Sequence, residues 1–162
     1  MSLGPGRLSR VVLDGQISSR LPAAVEADRA QAVADLAADN QFMPLTGKAG
    51  ATAGPFVLHL SVENGRLVFD IRRGDGASVA VIGLALGPFR RLVKDYQLLV
   101  DSHIKAVEEG RAERIQAIDM GRRGLHDEGA ALMCHRLEGK IAIDFATARR
   151  LFTLVCVLHQ RV

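Results

Sequence analysis

Apolar and polar positions alternate along two runs, Phe56 to Glu63 and Arg66 to Arg73, that are separated only by Asn64 and Gly65. Asn-Gly is the dipeptide preferred by a type I′ turn, in which both central residues need positive φ, so the pattern predicts a β-hairpin. A two-residue loop fixes the register. It sets Glu63 opposite Arg66, Ser61 opposite Val68, Leu60 opposite Phe69, His59 opposite Asp70 and Leu58 opposite Ile71. One face then carries Phe56, Leu58, Leu60, Val62, Leu67, Phe69 and Ile71. The other carries His59, Ser61, Glu63, Arg66, Asp70 and Arg72, and meets water or a partner. Gly74-Asp75-Gly76 turns the chain into a third strand around Ser78 to Leu86.

On either side of this sheet the pattern changes. Residues 1–7 read as a loose end and Leu8 to Asp14 as a short strand. Pro22 opens a helix over Ala23 to Asn40, with Val25, Ala32, Val33 and Leu36 as its apolar stripe. Residues 41–55 hold three Gly, two Pro and no periodicity, and read as a surface loop. Gly87 and Pro88 end the sheet and start a helix whose stripe is Phe89, Leu92, Val93, Tyr96, Leu99, Val100, Ile104 and Val107, ending near Gly110. Residues 111–138 have helical composition but contain Gly121, Gly124 and Gly129. The segment is either one helix, with the glycines permitting close packing, or two helices with a break near Gly121. After a short extended stretch from Lys140 to Ile143, Asp144 is placed to cap a last helix, Phe145 to Gln160. The run LFTLVCVL in that helix is apolar nearly all round and belongs in the centre of the fold. Strands first and long helices later is the α+β order. The expected architecture is one domain over residues 1–162, a small antiparallel sheet of three or four strands packed against four or five α-helices.

The 162 residues, 48% hydrophobic and 24% charged, suffice for one core that buries about 70% of the unfolded surface. Neither a disulfide framework nor a metal is needed to hold it. The longest apolar run is too short for a membrane span, and no charged-then-apolar leader is visible. A soluble cytoplasmic protein is therefore expected, with no membrane partner. The net charge is +3, carried by 17 Arg and 4 Lys against 18 acidic residues. The whole excess lies after residue 110. Such a mild bias does not by itself define a nucleic-acid binder, and the preference for Arg over Lys reads first as coding bias.

Four segments are more specific than composition: LVFDIRRGDG (67–76), PFRRLVKDY (88–96), IDMGRRGLHDEGA (118–130) and DFATARRLFTLVCVLH (144–159). In order and spacing they resemble uncharacterised protein family 0262, a bacterial family of small proteins of about this length. The resemblance covers roughly residues 8–162. It implies no activity, cofactor or catalytic residue, so it adds a label and no mechanism. The GPG start and the Gly-rich stretch 46–54 are looser than the family pattern.

Each of these segments contains an arginine doublet: Arg72-Arg73, Arg90-Arg91, Arg122-Arg123 and Arg149-Arg150. Arg90, Arg91 and Lys94 fall in the first two turns of a helix, where the macrodipole favours anions and like charges at i,i+4 repel. Either internal acids compensate, Asp95 being the nearest, or an external anion does. In residues 111–138 a continuous helix places Arg122 inside an apolar seam with Ile115, Ile118, Leu125, Gly129 and Leu132. A cation there needs a partner, for which Asp70 and Asp95 are candidates. Asp119, Arg123 and Asp127 would then form an acid-base-acid ladder at i,i+4. If the helix breaks at Gly121, GRRG becomes a loop feeding a helix N-terminus suited to an oxyanion. His59 opposite Asp70, with Ser61 nearby, is the weak outline of an acid-base pair, but no nucleophile elbow accompanies it. Cys134 with His135 and Cys156 with His159 lack the usual zinc spacing, and Cys156 reads as a buried apolar side chain.

The reading that follows is a non-catalytic cytoplasmic binding protein. It uses Arg72, Arg90, Arg91, Lys94, Arg122 and Arg123 to contact an acidic protein surface, nucleic acid such as RNA, or phosphate. No metal and no cofactor is expected. Six Phe, one Tyr and no Trp leave few platforms for base stacking. The alternative is a small enzyme with acid-base groups, His59 with Asp70 or His126 with Asp119, in a cleft lined by Arg122 and Arg123.

Overall fold

The computed structural model describes residues 6–14, 21–45 and 54–160. Strands β3 (Phe56–Glu63) and β4 (Arg66–Arg73) form the expected hairpin, with His59 opposite Asp70 and Glu63 opposite Arg66. Asn64 and Gly65 both have positive φ, 52° and 74°, as the type I′ turn requires. Phe56, Leu58, Leu60, Leu67, Phe69 and Ile71 are fully buried, while the opposite face, Val57 apart, is half-buried or exposed. Strand β5 (Ser78–Ala85) continues the meander antiparallel to β4.

Strand β1 (Leu8–Leu13) completes a four-stranded sheet in the order β1-β3-β4-β5, but it runs parallel to β3. The sheet is thus mixed and not wholly antiparallel. Helix α1 (Ala23–Ala38) lies between β1 and β3 in the chain, and a helical crossover brings the next strand back in the same direction. Asn40 fastens this unit from a buried position: its Oδ1 accepts from Leu8 N at 2.7 Å, and its Nδ2 donates to the carbonyls of Leu8 and Leu36 at 2.9 and 2.7 Å.

The stretch expected to be a loop over 41–55 contains strand β2 (Phe42–Pro44), paired antiparallel with β6 (Ile141–Ile143). Three residues are too few to show a period, and Phe42 is fully buried. Residues 46–53 of that stretch, and residues 1–5 of the expected loose end, lie outside the described residues.

Helix α4 (Phe145–Leu158) begins at Asp144, whose side chain accepts from Thr147 N at 2.9 Å and so satisfies one free donor of the first turn. Every residue from Leu151 to Val157 is buried. The helix packs between α1 and α3 (Ala112–Leu137), which explains why its second half is apolar on all sides. Residues 112–137 form one unbroken helix, which removes the alternative of a GRRG loop at a helix N-terminus. At Gly129 α3 comes close against α4: a Cβ built there would lie 2.4 Å from the Phe152 ring.

Helix α2 (Arg90–Glu108) follows a short 3-10 turn over Gly87–Phe89 and packs mainly on α3. Phe89, Leu92, Tyr96 and Val100 are buried, but the stripe does not stay buried to its end. Ile104 and Val107 are exposed, because α2 and the start of α3 run on past the core; Ala106 is the one buried residue between Asp101 and Ala117. No described helix is long and apolar enough to cross a membrane.

Candidate functional site

Three helices each present one strip of side chains to a common cleft of about 350 Å³. Helix α1 contributes Asp28, Gln31, Ala32 and Asp35, α3 contributes Asp119, Arg122, Arg123 and His126, and α4 contributes Ala146, Arg149, Arg150 and Thr153. All three strips have the spacing i, i+3, i+4, i+7, which keeps four side chains on one face of a helix for two turns. Two of the four arginine doublets, far apart in sequence, thus occupy the same place on their strips and converge.

The floor is a buried polar network. Arg122 Nη2 donates to both Asp28 oxygens at 2.5 and 2.6 Å, and the Tyr96 hydroxyl donates to Asp28 Oδ2 at 2.6 Å. The partner of the seam cation is therefore Asp28 of α1, and not Asp70 or Asp95. Asp28 and Arg122 expose only 18% and 22% of their side chains, so each needs the other. Arg122 Nε is buried with no partner among the described residues. Burial and the hydrogen bond to Asp28 both push the Tyr96 phenol well above its ordinary range, keeping it a neutral donor.

His126 stands beside this network, edge-on to Tyr96 and Phe152 at 6.0 and 5.9 Å between ring centroids. Its Nδ1 is 2.7 Å from the Arg122 carbonyl, which can only accept, so Nδ1 carries the proton. Burial, then the Arg149 and Arg122 cations, hold the imidazole below its ordinary pKa against the pull of that carbonyl. The ring is thus neutral near pH 7, with a bare Nε2 that takes no bond from the described protein. His126 makes no pair with Asp119, which instead lies 3.9 Å from Arg122.

The rim is unevenly neutralised. Arg149 Nε donates to Asp127 Oδ1 at 3.0 Å. Arg150 bonds the Asp39 carbonyl at 3.3 Å and stands 3.8 Å from Asp35. Arg123 has no ion pair among the described residues. The expected Asp119, Arg123, Asp127 ladder does not form, because Arg149 reaches Asp127 from α4 and Arg122 takes the side of Asp119.

The other candidates lie apart. Arg72 is held by Asp70 of its own strand at 2.6 Å. His59 faces Asp70 in register, yet its Nδ1 bonds Asp14 at 2.9 Å, at the end of the parallel strand β1. Arg91 is paired with Asp95 at 3.1 Å and also with Glu128 of α3. Arg90 and Lys94 have no ion pair among the described residues and border a separate hollow with Leu86, Val93 and Gln160. Cys156 is buried, and burial raises its thiol. His159 Nδ1 bonds the Val155 carbonyl at 2.8 Å. No group of three or more His, Cys, Asp or Glu that could hold a metal occurs among the described residues.

The class defined by this geometry is an α+β chain carrying an arginine-lined cleft between three helices. It belongs to the family described as Uncharacterised protein family (UPF0262), whose model matches residues 5–161. The chain is 65% identical to a UPF0262 protein of Granulibacter bethesdensis, covering 96% of this chain and 91% of that protein. It is 58% identical to one from Acidiphilium cryptum (96% and 94%) and 50% identical to one from Rhodopseudomonas palustris strain BisB5 (96% and 93%). No solved structure matches. The family name assigns no activity, so function has to be argued from the cleft.

Proposed function

We propose that this chain is a cytoplasmic binding protein that takes a small oxyanion, a phosphate or carboxylate, in the cleft between α1, α3 and α4. The observation that carries this reading is the convergence there of Arg122-Arg123 and Arg149-Arg150, with Arg123 in no ion pair among the described residues. Guanidinium groups match oxyanions in planar, two-pronged contacts. Four arginines against Asp28, Asp35 and Asp119 leave an excess of one positive charge at the lining. Selectivity therefore comes from placement and not from field strength, and a recess of this size suits a small ligand better than the backbone of a nucleic acid or an acidic protein face.

Calorimetric titration of the full chain with inorganic phosphate at low ionic strength tests the reading. Saturable one-site binding is expected, weakened at least about ten-fold by Arg123→Ala with Arg150→Ala, since one charge-assisted hydrogen bond contributes about 1.5–3 kcal/mol. Equal binding by the wild type and the double variant would overturn it.

A further inference from the structure

The cleft does not offer donors alone. Besides Asp28, Asp35 and Asp119, whose carboxylates lie against Arg122 and Arg150, the lining holds one neutral group that can only accept, the Nε2 atom of His126, since Nδ1 is committed as a donor to the Arg122 carbonyl 2.7 Å away. Resting on the oxyanion reading of the cleft, we infer that the ligand carries an acidic hydrogen on the anionic group itself. It is a hydrogen phosphate or a comparable protonated oxyanion, whose hydroxyl donates to His126 Nε2 while the remaining oxygens face Arg123 and its neighbours.

A fully ionised oxyanion such as sulfate has only acceptor oxygens. Set against an imidazole nitrogen that is also an acceptor, it leaves two lone pairs facing each other and both unsatisfied. Phosphate keeps at least one P–OH donor, two when singly charged and one when doubly charged, and the same contact becomes a hydrogen bond. A site built to bond a ligand hydroxyl rejects the analogue lacking it far more strongly than a size mismatch would.

The ring is fixed in the tautomer this requires. His126 is 6% exposed and stands edge-on to Tyr96 on one helix and Phe152 on another, so turning it over would break the Nδ1 bond and repack both aromatics. Burial, and after it the flanking arginines, hold its pKa below the ordinary value, so that it does not become a fifth cation near neutral pH. Of the carboxylates that line the cleft, Asp28 and Asp119 stand 2.5 and 3.9 Å from Arg122 and Asp35 stands 3.8 Å from Arg150, and none bonds the imidazole.

The test compares inorganic phosphate with sulfate by calorimetric titration of the full chain at pH 7.5 and matched low ionic strength. Phosphate is expected to bind at least about ten-fold more tightly. His126→Gln, whose amide can turn a donor toward the ligand, is expected to bring the two affinities within about two-fold. A long-range nitrogen–proton correlation spectrum gives an independent readout without substitution: His126 should show a protonated Nδ1 and a bare Nε2 that shifts when phosphate is added. Equal phosphate and sulfate affinities in the wild type, a ratio unchanged in His126→Gln, or a ring protonated on Nε2 would overturn this inference while leaving the oxyanion reading intact. Binding of neither anion would overturn both.

Discussion

Helix α3 carries three interior glycines, and the structure assigns opposite signs to their replacement by alanine. Removing a glycine from a helix interior gains about 1 kcal/mol in propensity, and the surroundings decide whether that gain survives. At Gly124 an added Cβ meets nothing within 4 Å, and at Gly121 it meets Leu99 Cδ2 at 3.5 Å, an ordinary contact. Both substitutions should stabilise by about 0.5–1 kcal/mol. At Gly129 the new carbon falls 2.4 to 2.5 Å from three atoms of the Phe152 ring, an overlap of about 1 Å with respect to normal van der Waals separation. Phe152 is fully buried in a helix whose neighbours are buried on every side, so the ring has nowhere to go. Overpacking of this kind costs about 1–3 kcal/mol. The severity of the overlap puts Gly129→Ala at the top of that range, with a net loss of about 2 kcal/mol after the propensity gain. For a chain of this length that is a fall of about 4–8 °C in Tm, against a rise of about 1–4 °C for the other two. Urea titration with a shared m-value and a thermal scan measure all three. Because Phe152 also backs His126, Gly129→Ala should weaken phosphate binding as well. A Gly129→Ala protein as stable as Gly124→Ala would refute the close approach of α3 to α4.

Asp28→Ala should cost about 2–3 kcal/mol by urea titration, because it strands both the half-buried Arg122 guanidinium and the Tyr96 hydroxyl; adding Arg122→Met should recover part of that loss. Asn40→Ala should cost about 2–3 kcal/mol, since three buried hydrogen bonds joining β1 to the end of α1 disappear together. For His126 the sign follows from its lowered pKa: the unfolded chain takes up the proton first, so stability is full above the ordinary value of 6.5 and falls as pH drops through the folded value. Urea midpoints measured between pH 7.5 and 5 should decline less steeply in His126→Gln than in the wild type, and identical slopes would count against a buried neutral imidazole.

Local chemistry made the hairpin readable down to its register, because Asn64 and Gly65 fix the loop length and alternation fixes the faces. The last helix was readable for a similar reason: Asp144 marks its start and an all-round apolar run marks its burial. The parallel placement of β1 was not, since which edge a strand joins depends on where α1 packs and not on the strand itself. Nor was β2, whose three residues carry no period; β6 was visible as a short extended stretch, but its pairing with β2 was not. In the cleft, the doublets were visible but their meeting was not. The ladder on α3 failed because Arg149, on another helix, competes for Asp127 better than Arg123 does. One signal was available: Asp119, Arg122, Arg123 and His126 share the offsets of Ala146, Arg149, Arg150 and Thr153, and of Asp28, Gln31, Ala32 and Asp35.

The doublets also explain each other. Adjacent residues differ by about 100° around a helix and point to opposite faces of a strand, so the two members of a pair cannot share one acid. In three of the doublets this divides the roles. Arg72, Arg91 and Arg122 are bound to carboxylates, while Arg73, Arg90 and Arg123 have no ion pair among the described residues. The bound member ties elements together, Arg91 joining α2 to α3 through Glu128 and Arg122 joining α3 to α1 through Asp28. The spare member of 122-123 is the one that stands at a recess which another doublet also lines. Replacing Arg122 should therefore cost stability first and binding as a consequence, whereas replacing Arg123 should cost binding at unchanged stability. That separation is what distinguishes a ligand-facing cation from a structural one in this cleft.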